Sequence, residues 1–360
     1  MSGPGPWIVS PRFDLALLAA PAAATAVALL LPATDGVPLW AFLLLVVAFD
    51  VAHVWSTLYL SYLDREAMAR RRLLFLLPVP LSLLVAYRLH AHSPVLFWTL
   101  LAYVAIHHFA AQQWGFIALY KLRAGERDPV DRYLDKWTLW VGALGPVLWW
   151  HASPGRRFDW FGHGEEFLFA LDPGLRPDIA VVMGAFAAVW VARQTWHLAW
   201  GRLCAGKALW MVAAWLSWSL GIGLADHPLV SLAAINLLHG VPFLGLVWFR
   251  CNRRWEGRTD AAPSPLLARL SQRRALWAFY GLIVLLALLE EGLWDGALWG
   301  VYLAGLTGLE PPALSDAGRS LLVAALATPQ IVHYYLDAWL WKLDGSNPDL
   351  HEALGVPQRG

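Results

Sequence analysis

Six histidines sit within long apolar runs of this 360-residue chain: His53, His107, His108, His197, His239 and His333. A hydrogen-bonding side chain stands three residues before four of them, pairing Asp50 with His53, Gln194 with His197, Asn236 with His239 and Gln330 with His333. Two more polar groups follow by four, Gln112 after His108 and Asp337 after His333. Residues three or four apart share a helix face, so each histidine and its polar neighbour look the same way. Neutral imidazole is the commonest metal ligand, and imidazole with carboxylate suits iron, manganese or zinc. A ligating histidine normally donates its second ring N–H to a carboxylate, amide or carbonyl. Asp50 and Asp337 are therefore candidate ligands or partners of ligands, and Gln112, Gln194, Asn236 and Gln330 are candidate partners. No cysteine or methionine lies at this level, which disfavours copper(I) and iron–sulfur chemistry. The plainer reading is hydrogen bonding that holds helices together. Six ionisable groups at one level argue for function instead.

The runs that carry these residues are of membrane length. The chain is 58% hydrophobic and 15% charged, where a soluble domain would be roughly a quarter charged. Ten spans are predicted, at roughly 14–33, 38–62, 73–89, 95–120, 137–151, 179–200, 208–225, 228–249, 275–291 and 319–341. The expected fold is all-α, a polytopic transmembrane helix bundle forming a single domain over residues 1–360, with no linker or soluble appendage. The first run lacks a basic segment before it and a small-residue cleavage site, so it reads as a retained helix. The apolar segment within 293–316 reads as a re-entrant or interfacial helix. A net charge of +1 and the absence of any recognition module argue against a nucleic-acid partner. Cys204 and Cys251 flank basic loops and read as free thiols facing a reducing compartment. Tryptophans near the span ends read as interface anchors.

Charge sets the expected orientation. Arg12, the "DREAMARRR" loop, the "KLRAGERDPVDRYLDK" loop, "GRLCAGK", the whole stretch from "RCNRRWEGR" through Arg269 to "SQRR", and the C-terminal tail hold 21 of the 27 basic residues. Basic loops stay in the cytoplasm, which puts both termini there and the loop at 151–178 outside. All six histidines then lie in even-numbered spans, running from outside to inside. His53 precedes Arg65 by 12 positions, His108 precedes Lys121 by 13, His239 precedes Arg250 by 11 and His333 precedes Lys342 by 9. At about 1.5 Å per residue, these four share one depth to within about a turn. His197 joins them if its helix continues to Lys207. The other histidines, His90, His92, His151, His163, His227 and His351, read as solvated loop residues, and Glu290 and Glu291 as a solvated helix end.

The function these features favour is an integral-membrane metalloenzyme in the cell inner membrane. Its metal would be non-haem iron or another divalent ion, its substrate a lipid or isoprenoid from the bilayer, and its partner an electron donor. The layout of histidines across the whole chain resembles that of histidine-rich membrane oxygenases, particularly the Brp/Blh carotenoid-cleaving type, which carries iron-ligating histidines on transmembrane helices. The resemblance is one of architecture. The chain has no Pro-His-Gly-Ala sequence and no HxxHH box, and "HHFAAQQ" opens like a desaturase box and then departs from it. A haem clamped by two facing histidines is a second possibility. The third is passage of protons, metal ions or a solute, with "GVPF" and "ATPQ" as helix interruptions. Arg193, four residues before His197, has two readings: a salt bridge with Asp50 or Asp337, or a grip on an anionic substrate head group. The two arginine-rich loops read as topology determinants.

Overall fold

The computed structural model describes residues 6–32, 36–155, 170–224, 226–258, 263–343 and 346–354. Among them every regular element is a helix. Ten helices are long: α1 Pro11–Leu30, α2 Leu39–Leu60, α3 Arg72–His92, α4 Pro94–Arg123, α5 Pro129–His151, α6 Pro173–Ala199, α7 Ala205–Leu224, α8 Pro228–Trp255, α9 Arg273–Trp299 and α10 Asp316–Leu340. Each expected span finds its helix. Eight are long and apolar enough to cross a membrane, as in a multi-pass membrane protein. The other two, α5 and α10, are as long but more polar. α5 opens with Asp131, Arg132, Asp135 and Lys136, and α10 carries Arg319, Gln330, His333 and Asp337. The apolar stretch near 300 forms a five-residue helix, Leu303–Thr307, between left-handed Gly300 and Gly308, so no further span lies there. Half of the expected outer loop, residues 156–169 with His163 among them, lies outside the described residues.

Helix starts follow from local sequence. Proline at the first position costs no hydrogen bond, and the residue before it caps the next free N–H. Ser10 accepts from Phe13, Ser93 from Leu96, Asp128 from Val130 and His227 from Leu229. Four stretches wind as π-helix, at Phe42–Val51, Ser219–Leu224, Leu232–Asn236 and Asp295–Trp299. Two of them end just before His53 and His239. Wide turns of this kind gather at functional sites.

The helices pack in two compact units. The first holds α1, α4 from Tyr103, α5, α6, α7 and α8 up to Pro242. There α5 lies against α6 and α7, and the indole of Trp215 donates to the Thr138 carbonyl at 3.0 Å. A Cβ at Gly142 would meet that indole at 2.2 Å, so the close approach of α5 and α7 requires a glycine. Gly142→Ala is expected to cost about 1–3 kcal/mol through overpacking, read as a lower unfolding temperature in detergent. An unchanged midpoint would show that the indole moves aside freely. The second unit holds α2, α3, the start of α4, the rest of α8, α9 and α10. Its apolar core runs through Val47, Tyr59, Phe75, Val247, Ile283 and Leu336, with α10 lying along α3 and α9 along α2.

Candidate metal centre

In the second unit α2 and α10 bring His53 and His333 together. Their ring centroids are 4.8 Å apart, with the planes nearly perpendicular. Each is about 1% exposed. The Nδ1 of His333 shares a hydrogen bond of 2.7 Å with the Thr57 hydroxyl. The Nδ1 of His53 is bonded to the main-chain carbonyl of Asp50, whose carboxylate lies 3.8 Å from the same nitrogen. On the other side of the His333 ring, the Asp337 carboxylate is 3.7 Å from Nε2. Phe243 stands edge-on to both imidazoles, at 5.7 and 5.6 Å.

In the first unit α4 and α8 do the same with His108 and His239, whose ring centroids are 5.2 Å apart at 81°. Phe109 stacks on His239 at 3.7 Å. His239 is fully buried, and Asn236 is buried with it. Among the described residues, each unit thus holds one pair of buried imidazoles of the kind that ligates a metal ion, His53 with His333 and His108 with His239.

The other expected site residues go elsewhere. Neighbours on a helix point about 100° apart, so burial of His108 turns His107 outward, where it is exposed against the Trp140 ring. His197 bonds Asp131 through Nε2 at 2.9 Å. Arg193 is paired with Asp131 and Asp128, at 2.7 and 2.9 Å, and not with Asp50 or Asp337. The start of α5 supplies those carboxylates at the height of the end of α6, so this arginine has its counter-charges there. Gln330 donates to the Tyr334 hydroxyl at 2.6 Å and makes no bond to His333. The amides of Gln112 and Gln194 make no hydrogen bond among the described residues, while Gln113, next to the former, accepts from Trp218.

Several polar residues read as solvated are buried. His90 is bonded to Ser320 and His151 to Tyr103. His351 is 3% exposed, within the helix Pro348–Leu354. Glu290 and Glu291 are 8% and 7% exposed, and Glu290 accepts from the Trp55 indole at 2.7 Å. Helix ends dock here against neighbouring helices, which the sequence of one helix does not reveal. Thr57 was missed as well, although it follows His53 by four and so had a sequence signal.

The first unit also holds a charge network that was not foreseen. Asp135 and Lys207 are fully buried and 3.1 Å apart. Lys121 pairs with Asp135 and Glu126, Lys207 pairs with Glu126 as well, and the Trp190 indole donates to Asp135 at 2.8 Å. Comparison of the chain with family models, with curated proteins and with solved structures returns no match.

Proposed function

We propose that the chain is a non-haem metalloenzyme of the cell inner membrane, with both termini in the cytoplasm, that oxidises or cleaves a lipid or isoprenoid. Iron is the first candidate ion, and a cytoplasmic donor supplies electrons. The observation that carries this reading is the pairing of buried imidazoles, with Nδ1 of His53 and of His333 already bonded. Phe243 touches both His53 and His333. Four neutral imidazoles suit a divalent ion, and Asp50 and Asp337 beside them supply counter-charge that hydrocarbon does not. Iron bound there would supply dioxygen activation. The chain's own part is to hold and orient the ligands and to keep water out. Thr57 and the Asp50 carbonyl engage Nδ1 and so present Nε2, while Phe109 and Phe243 form the dry wall.

The spacing favours a bare ion over haem. A haem would sit between two imidazoles that each point a nitrogen at its iron from opposite faces, whereas the rings within each pair lie edge to face with centroids only 4.8 and 5.2 Å apart. Elemental analysis with an optical spectrum of the purified protein tests this. Stoichiometric metal without a Soret band is expected, and a Soret band or metal-free, fully stable protein would overturn it. A second expected result concerns Thr57→Val, which keeps the shape and removes the hydroxyl. Metal affinity should fall roughly 10–100-fold with little change in fold, as measured by competition with a chelator. Unchanged affinity would remove Thr57 from the site.

Ion passage stays as a second reading because of Glu290 and Glu291, buried on α9 within electrostatic reach of Asp50. Proton or cation uptake into vesicles that Glu290→Gln abolishes would favour it; vesicles that show no uptake would remove it.

A further inference from the structure

The two arginine-rich loops, far apart in sequence, meet in the second unit. Arg254, at the end of α8, pairs with Asp64 and Glu66 at the start of the 64–72 segment, each at 2.8 Å. Arg71 reaches the chain after α10, donating to the Asn347 side chain at 3.0 Å and to the Ser346 carbonyl. Arg250 donates to Asp349 at 2.9 and 2.7 Å and to the Leu340 carbonyl at 2.7 Å. Between these segments lies a narrow, partly open cleft with Tyr59, Phe75 and Trp255 in its wall. Four guanidinium groups line it, those of Arg70, Arg71, Arg250 and Arg254, against two carboxylates, those of Asp64 and Asp349. With Glu66, which also pairs with Arg254, the balance around the cleft is 4 − 3 = +1. Burial pushes the Asp64 carboxyl up from its ordinary range, with Arg254 only partly offsetting it. Asp349 is held below that range: burial alone would raise it, but Arg250 and Arg254 outweigh burial. Arg70 is exposed and has no ion-pair partner among the described residues.

Topology alone does not call for this arrangement. Basic residues that only orient a span can point anywhere in the water, whereas here three loops are knotted by ion pairs around a cationic cleft with an aromatic floor. We infer that the cleft binds a phosphoryl group at the membrane surface. Arginine forks match phosphate oxygens in pairs, the surplus positive charge attracts an anion, and the apolar wall suits what lies beyond it. The source is either a phospholipid head group or a free phosphate compound.

The test uses the full chain in detergent. Thermal midpoints are followed against inorganic phosphate and, separately, against mixed micelles of phosphatidic acid or phosphatidylcholine, all at constant ionic strength. Arg70→Gln is the chosen variant, because an exposed side chain carries little of the fold. Arg72→Gln, exposed in the same loop and not lining the cleft, is the charge-matched control. The wild type should be stabilised by phosphatidic acid over phosphatidylcholine, and Arg70→Gln should weaken that response by about tenfold in half-saturating concentration, with Arg72→Gln unchanged. Stabilisation by inorganic phosphate as well assigns a free phosphate site; stabilisation by the lipid alone assigns a head-group site. No stabilisation by either, or equal weakening in both variants, overturns the inference. Metal content is not expected to respond in any arm, so the result stands apart from the histidine site.

Discussion

Replacing His333 with alanine is expected to strip the metal while leaving the helix in the membrane. The imidazole lies at the meeting of α2 and α10, with Thr57 on one nitrogen and Asp337 near the other. Its loss takes away a ligand and leaves a small apolar side chain, and losing a polar group lowers the cost of inserting α10. Asp337→Asn separates two roles for the carboxylate. If Asp337 only supports His333, metal affinity should fall roughly 10–100-fold and less than in His333→Ala. If it ligates directly, the two losses should match. His92→Ala, exposed at the end of α3, is the control and should change nothing. Metal per protein and thermal midpoint are measured on the same samples. A variant with full metal and a sharply lower midpoint would mean that His333 only packs helices.

The second large effect belongs to Asp135. This carboxylate is fully buried and balances Lys121 and Lys207 while accepting from Trp190. Asp135→Ala leaves the ammonium groups with Glu126 alone. Breaking a buried pair from one side typically costs about 3–5 kcal/mol, so yield and thermal midpoint should both drop steeply. Removing a partner as well, in Asp135→Asn with Lys207→Met, should recover much of the loss, because a neutral pair does not strand a charge. A double variant no more stable than Asp135→Ala would show that the network acts through shape and not through charge.

What could be read from the amino-acid sequence followed the reach of its signals. Ten helices were legible because apolar length acts within one segment. The four histidines His53, His108, His239 and His333 were legible because a shared distance to the next basic residue is a property of each helix alone. Partners were not. The i−3 pattern assigned Asp50 and Gln330 to their histidines through side chains, yet His53 bonds the Asp50 carbonyl and His333 takes Thr57 from another helix. Asp50 lies in a π-wound stretch, where the faces implied by ordinary helical spacing rotate. His107 was misread because adjacent histidines cannot both face inward. Glu290, Glu291, His90 and His151 were misread because a helix end looks solvated until the element that covers it is known. Lys121, Lys207 and Asp135 read as loop charges for the same reason.

The attachment of α6 bears on how the chain is assembled. Only 6% of its most apolar window is covered by protein, and its buried residues are Trp190, Gln194 and His197. All three fall near its last turns, where Trp190, Arg193 and His197 clasp Asp135 and Asp131 of α5. Apolar contact gives helices in lipid little reason to associate, since lipid tails serve a leucine as well as another helix does. α6 thus meets α5 along one face, with Met183 against Gly145 and Arg176 over the Trp149 ring, while its buried residues gather at one end. Its docking therefore depends on the carboxylates that α5 presents at that end.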